Sequence, residues 1–178
     1  MSFQLQLDLV LLLVVVTAAI TDLAIRKIPN KLLLAAACAV LGLHLIHPAP
    51  TSVLSALGGA AIGFALFLPM YAVRGMAAGD VKLMATVGLF LGPAQTLHAC
   101  ILTWCAGGVM ALAIILFTRR WSAAYTNLRN LVLPLLLGLG SPAPGTAPAR
   151  ESVGSMPYGL AIALSTLWLL AQRHHPLG

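Results

Sequence analysis

Residues 81–117 read VKLMATVGLFLGPAQTLHACILTWCAGGVMALAIILF, with Lys82 as the one charged residue, and this run decides the fold. An α-helix needs about 20 apolar residues to cross a hydrocarbon core about 30 Å thick, so the run holds two spans in succession. Gly92-Pro93 divides them, because glycine suits a helix C-terminus and proline the first turn of the next helix. The same ruler carried outward marks a first span over 7–25, a second over 32–46 and a third over 53–73, closed by Arg74. A sixth starts at Pro157, with Ser155 or Met156 at the cap position, and runs to Leu170. The composition agrees: 60% of the 178 residues are hydrophobic and 8% charged, and the mean hydropathy is +0.98. That leaves too little polar surface to cover a water-exposed globule, which argues against a soluble nucleotide-binding fold, a disulfide scaffold and a disordered chain. The expected architecture is an all-α polytopic membrane protein of about six transmembrane helices, forming a single domain over 1–178.

Ten Lys and Arg stand against four Asp and Glu, yet the basic residues lie in short clusters between apolar runs, the pattern of membrane loops and not of a nucleic-acid face. Arg26, Lys27 and Lys31 follow the first span, Arg74 and Lys82 flank the link after the third, and Arg119, Arg120, Arg129 and Arg150 follow the fifth. The links around HPAPTS (47–52) and GPAQT (92–96) have no Lys or Arg. The positive-inside rule therefore puts the N-terminus outside, with Arg173 as the one basic residue on the outer side. MSFQLQLDLVLLLVVV has no basic residue ahead of its apolar run and reads as a retained span, not a cleaved signal. In the long loop after span five, LVLPLLLGLG (131–140) is too short to span and reads as interfacial or re-entrant, and SPAPGTAPARESVGS (141–155) as a flexible linker. Cys38, Cys100 and Cys105 are odd in number and form no C-x-x-C, so they read as reduced packing residues, and neither metal nor cofactor is expected.

Acids this scarce are worth locating. Asp8 marks the outer boundary of span one, and Asp22 lies about 21 Å deeper along the helix; Asp80 lies about 18 Å from Gly92 at the outer end of span four. Both distances fall short of 30 Å, so Asp22 and Asp80 sit at similar depth, inside the cytoplasmic edge of the hydrocarbon. Each has an ordinary structural reading: Asp22 precedes Arg26 by four residues, a helical ion-pair spacing, and Asp80 follows a glycine at a turn. As a pair they suggest chemistry. Intramembrane carboxylates are costly, about 2.5–3.5 kcal/mol each at mid-bilayer, and usually face a bundle interior or water-filled cavity. Two that share a site equip aspartyl proteolysis: the ionised one takes a proton from water while the protonated one donates toward the substrate. A different class of protein, a small transporter or channel component relaying protons or cations through the same two groups, uses the same residues.

Three stretches resemble the signature regions of the type IV prepilin peptidases: TDLAIRKIPN (21–30), RGMAAGDVKLMATVGLFLGP (74–93) and MPYGLAIAL (156–164). They occur in the family's order, and the likeness is closest to the short forms serving tight-adherence (Flp-type) pili. The resemblance implies an intramembrane aspartyl endopeptidase of the bacterial inner membrane, cutting the basic leader from prepilin and pseudopilin substrates at the cytoplasmic face, with Asp22 and Asp80 catalytic. One departure stands out: the family's Gly-x-Gly-Asp reads Ala77-Ala78-Gly79-Asp80, leaving Gly79 as the residue able to take a positive φ before the aspartate. The loop after span one is about six residues long and has no cysteine, so the zinc-binding and methyltransferase domain of longer members is not expected.

Around the pair, Pro157-Tyr158-Gly159 either initiates span six or lines the site, where Tyr158 supplies a hydrogen bond. Lys82 either snorkels to lipid phosphate or shapes the site, and Glu151 is the remaining acid available to attract a basic leader. Membrane lipid and the pilin precursor are thus the expected partners; oligomeric state is not legible. His44, His47 and His98 lie near the outer face and read as packing residues in preference to metal ligands. The small residues 58–63 read as a close helix–helix contact.

Overall fold

The computed structural model describes residues 3–46, 50–72, 75–119, 126, 129 and 157–174. Arg74, His47, the 131–140 and 141–155 segments, and with them Glu151, lie outside the described residues. Among the described residues there are six main helices, α1 (Phe3–Ile25), α2 (Asn30–Ile46), α3 (Pro50–Ala72), α4 (Ala78–Leu91), α5 (Pro93–Thr118) and α6 (Tyr158–His174), and no strand. The chain is an all-α polytopic membrane protein. Stretches of α1, α3 and α5 are long and apolar enough to cross a bilayer. The other three have 17, 14 and 17 residues, about 21–26 Å of helix, which is shorter than the hydrocarbon core. Their ends therefore bring polar residues to the depth of the membrane edge.

The chain divides into two compact units, Met1–Ala106 with Pro157–Gly178, and Gly107–Met156. The described part of the second is chiefly the end of α5, whose Val109, Leu112, Leu116 and Phe117 are exposed apolar side chains. The first unit carries everything that follows.

Within that unit α4 is the central helix. Asp80, Val81, Leu83, Met84, Thr86, Val87, Gly88, Phe90 and Leu91 are all buried, so every side of the helix is covered except the one carrying Lys82. Its boundary with α5 falls at Gly92, which takes φ 75°, a left-handed conformation that glycine adopts without Cβ strain. On α1 the buried residues Leu7, Leu11, Val14, Val15, Ala18 and Asp22 follow helical spacing, while Leu9, Leu13, Val16, Ile20 and Leu23 face outward. Both faces are apolar because lipid and core are equally so.

The tightest packing joins α3 to α4. A Cβ on Gly63 would stand 2.7 Å from the Met84 carbonyl oxygen, and one on Gly59 would press on the Gly88 backbone and reach within 2.9 Å of the Gly92 carbonyl carbon. The small-residue patch of α3 is thus a backbone-to-backbone contact. Gly42 of α2 is different: nothing lies within 4 Å of its Cβ position. Gly63→Ala should therefore lower stability by about 1–3 kcal/mol through overpacking, whereas Gly42→Ala should raise it by about 0.5–1 kcal/mol through helix propensity. Thermal melts of the two purified variants should move in opposite directions.

At the end of the bundle where α1 begins, Asp8 is buried and ringed by donors. Arg173 Nη1 donates to its Oδ1 at 2.5 Å, His174 Nε2 lies 3.1 Å from Oδ2, and Gln4 Nε2 donates to Oδ1 at 3.1 Å. Arg173 Nη2 also donates to Gln95 of α5. This cluster explains why α6 continues four residues past the expected end at Leu170, and it neutralises the one basic residue that the charge pattern left on the outer side. Removing Asp8 takes the carboxylate from Arg173, which is part-buried and keeps Gln95 as a partner. Asp8→Ala should lower stability by about 1–3 kcal/mol, read as a fall in Tm.

Candidate active site

Four helix ends meet at the opposite end of the first unit, the C-terminus of α1 and the N-termini of α2, α4 and α6. α1 closes just after Asp22: the Arg26 N–H donates to the Asp22 carbonyl at 3.0 Å, and Arg26 itself takes φ 54°, the left-handed conformation that terminates helices. The turn that follows is held at Pro29, whose carbonyl accepts the N–H groups of Leu32 and Leu33. α2 then starts at Asn30.

Asp80 occupies the third position of α4. Its Oδ2 accepts the Ala77 N–H at 3.2 Å, so the carboxylate caps its own helix, while its N–H donates back to the Ala77 carbonyl at 3.1 Å. Ala77 stands where the resembling family has its first glycine, and its φ of −81° and ψ of 152° are extended backbone open to any residue. The departure from the family pattern therefore carries no conformational cost. Gly79 corrects an expectation: it lies within α4, and among the described residues Gly92 is the one glycine with positive φ. A Cβ at Gly79 would sit 3.4 Å from the Ile28 Cβ. That is ordinary van der Waals contact, so neither close approach nor left-handed backbone demands a glycine at this position.

Asp22 and Asp80 are both buried and close enough for the charge of one to act on the other. Asp22 is held by α6. The Gly159 N–H donates to Asp22 Oδ2 at 2.9 Å, across 137 residues of sequence, and a Cβ at Gly159 would stand 2.8 Å from that oxygen. Each carboxylate thus sits at a helix N-terminus, Asp22 at that of α6 and Asp80 at that of α4, where free N–H groups and the helix dipole compensate a buried negative charge. Pro157 is buried immediately before α6, and its carbonyl accepts the Leu160 N–H, so it serves helix initiation beside the site. Tyr158 is half-buried at the start of α6, and no hydrogen bond from its hydroxyl occurs among the described residues.

Lys82 turns away from the pair. Its Nζ donates to Asn30 Oδ1 at 3.2 Å, joining the start of α2 to α4. Sequence reasoning missed this partner; an amide at a helix start carries no signal of what it will meet 52 residues on. His44 is spent in the core, with its Nδ1 2.7 Å from the Val40 carbonyl oxygen and its ring edge-on to Phe3 at 5.3 Å. Among the described residues no three His, Cys, Asp or Glu side chains converge as a metal site would need.

Neither the curated proteins nor the solved structures include a match to this chain. A model of the type IV leader peptidase family does match, over residues 9–112. The matched stretch contains both carboxylates and stops short of α6, whose Gly159 the fold returns to Asp22. Because the match covers more than half of the 178 residues, the chain belongs to the type IV leader peptidase family, as a peptidase with membrane-spanning helices.

Proposed function

We propose that this protein is an intramembrane aspartyl endopeptidase that removes the basic leader of type IV, Flp-like prepilins and pseudopilins. In this reading it works at the cytoplasmic face of the bacterial inner membrane, without a cofactor and without methylating its product. One observation carries the reading. Two buried carboxylates from helices far apart in sequence each accept an N–H at a helix N-terminus, Asp22 at that of α6 and Asp80 at that of α4, within a chain of leader peptidase type.

Close carboxylates repel, which favours one proton shared between them. The ionised member takes a proton from water as the oxygen attacks the scissile carbonyl. The protonated member gives its proton to the carbonyl oxygen, forming a gem-diol. The member that took the proton from water then passes it to the leaving amine as the C–N bond breaks, and a diol hydroxyl returns a proton to the other carboxylate. Water is thus added across the peptide bond and the dyad regains its single proton. The Gly159 N–H fixes one oxygen of Asp22, leaving the other free for this exchange. The substrate enters partly unwound, because a peptide bond satisfied within a helix is poorly presented to water. Pro157, Tyr158 and Gly79 shape the surroundings of the pair, and Glu151 assists capture of the basic leader. Co-expression with a prepilin should shorten it by the mass of its leader. Reporters fused after Lys31 and Arg120 should register cytoplasm, and one near Ala94 the outside. Ion flux that depends on membrane potential, with pilin mass unchanged, would favour a transporter and sink the reading.

A further inference from the structure

Beside the carboxylates, but not part of them, a groove of about 440 Å³ opens between α2, α3 and α4, lined by Asn30, Leu33, Leu34, Phe64, Lys82, Ala85 and Thr86. Its polar groups are few. Lys82 and Asn30 hydrogen-bond to each other, and the Thr86 hydroxyl is engaged with the Lys82 carbonyl at 2.8 Å. Leu33, Leu34, Phe64 and Ala85 make the rest apolar, with Leu34 and Phe64 exposed.

The charge balance of the groove is incomplete. Among the described acids, Asp8 is taken by Arg173 and His174, Asp22 accepts from Gly159 and Asp80 from Ala77. Lys82 has an amide for a partner and no carboxylate among the described residues. An ammonium group only donates, so the Asn30 oxygen must face Lys82, which leaves the Asn30 NH₂ and the remaining Lys82 N–H groups as donors. Two adjacent donors, one of them cationic, at the head of an apolar furrow match a phosphate with an acyl chain behind it. Leu34 and Phe64 are exposed apolar side chains of a membrane protein, the kind of surface an acyl chain covers.

We propose that this groove is a binding site for an anionic phospholipid, its phosphate on Lys82 and Asn30 and one acyl chain along Leu33, Leu34 and Phe64. The site stands whether or not the protein cleaves pilins, because it rests on binding chemistry alone. A lipid held there ties the start of α2 to α4 two residues after Asp80.

The test uses the full chain carrying Phe64→Trp in detergent micelles, with phosphatidylglycerol or phosphatidylcholine brominated on the acyl chains, which quench an indole on contact. Subtracting the parent protein removes the signal of the native tryptophans. Brominated phosphatidylglycerol should quench the introduced indole at about five-fold lower mole fraction than phosphatidylcholine, the scale of one basic residue at an anionic surface. Lys82→Gln added to that variant should abolish the preference and Lys82→Arg should keep it; both positions are exposed, so folding is not at stake. Unlabelled phosphatidylglycerol should relieve the quenching, and inorganic phosphate at the same concentration should not. Equal quenching by both lipids, a preference that survives Lys82→Gln, or relief by phosphate alone overturns the proposal. So does exclusion of every lipid by a prepilin peptide, which would make the groove a substrate channel.

Discussion

Asp80→Asn should leave a folded protein whose prepilin cleavage is slower by about 10²–10⁴-fold, the usual loss when a general acid–base group is removed. The structure says why folding should survive. The bond made by Asp80 is one accepted from the Ala77 N–H, and an Asn side-chain oxygen can accept it equally well. Asp22→Asn has the same logic, with the Gly159 N–H as the donor that must be kept. What both variants lose is the ability to exchange a proton. The double variant should be little slower than either single one, because the two groups act as a unit and their losses do not add. Single-turnover cleavage of a purified prepilin, with enzyme abundance and Tm measured alongside, separates chemistry from folding. Cleavage at the original rate by Asp22→Asn at normal abundance would end the dyad mechanism.

The next largest effect should come from a residue with no side chain. Gly159→Ala places a Cβ 2.8 Å from Asp22 Oδ2 and 3.0 Å from Asp22 Cβ. Both the carboxylate and its stem are crowded, so rotating the end group is not enough; either Asp22 moves or α6 tilts away from α1. A displacement of about 1 Å at a reacting group costs about 10²-fold. The fall should appear in kcat with KM little changed, since the reacting geometry is disturbed and the substrate-binding surface is not. Gly42→Ala, with open space around the new Cβ, serves as the control for glycine replacement in a helix of this protein. A Gly159→Ala enzyme of unchanged kcat would mean that the Gly159–Asp22 bond does not set the position of the carboxylate.

Much of this protein was legible from the order of its residues. The six described helices begin and end within a few residues of where the apolar runs and the Gly92-Pro93 break put them, because run length, composition and helix breakers act on each segment separately, although only α1, α3 and α5 are long enough to cross a hydrocarbon layer. Asp22 and Asp80 stood out for the same reason: carboxylates are rare in such segments, and where they occur in a span they cost free energy. What the sequence could not decide is which residues meet. Lipid and protein interior are equally apolar, so Leu11 inside and Leu13 outside look alike, and the facing of α1 is settled by the fit of Ala18, Ala19 and Leu11 against neighbours. Gly79 read as a residue for positive φ and is an ordinary helical residue in contact with Ile28; Asp8 read as a boundary marker and is the anchor of α6 through Arg173. Gly159 on Asp22 and Asn30 on Lys82 are contacts across 137 and 52 residues. Local periodicity and charge counts describe one helix at a time, whereas these contacts come from close packing between helices, where a hydrogen too many or a carboxylate unpaired decides the arrangement.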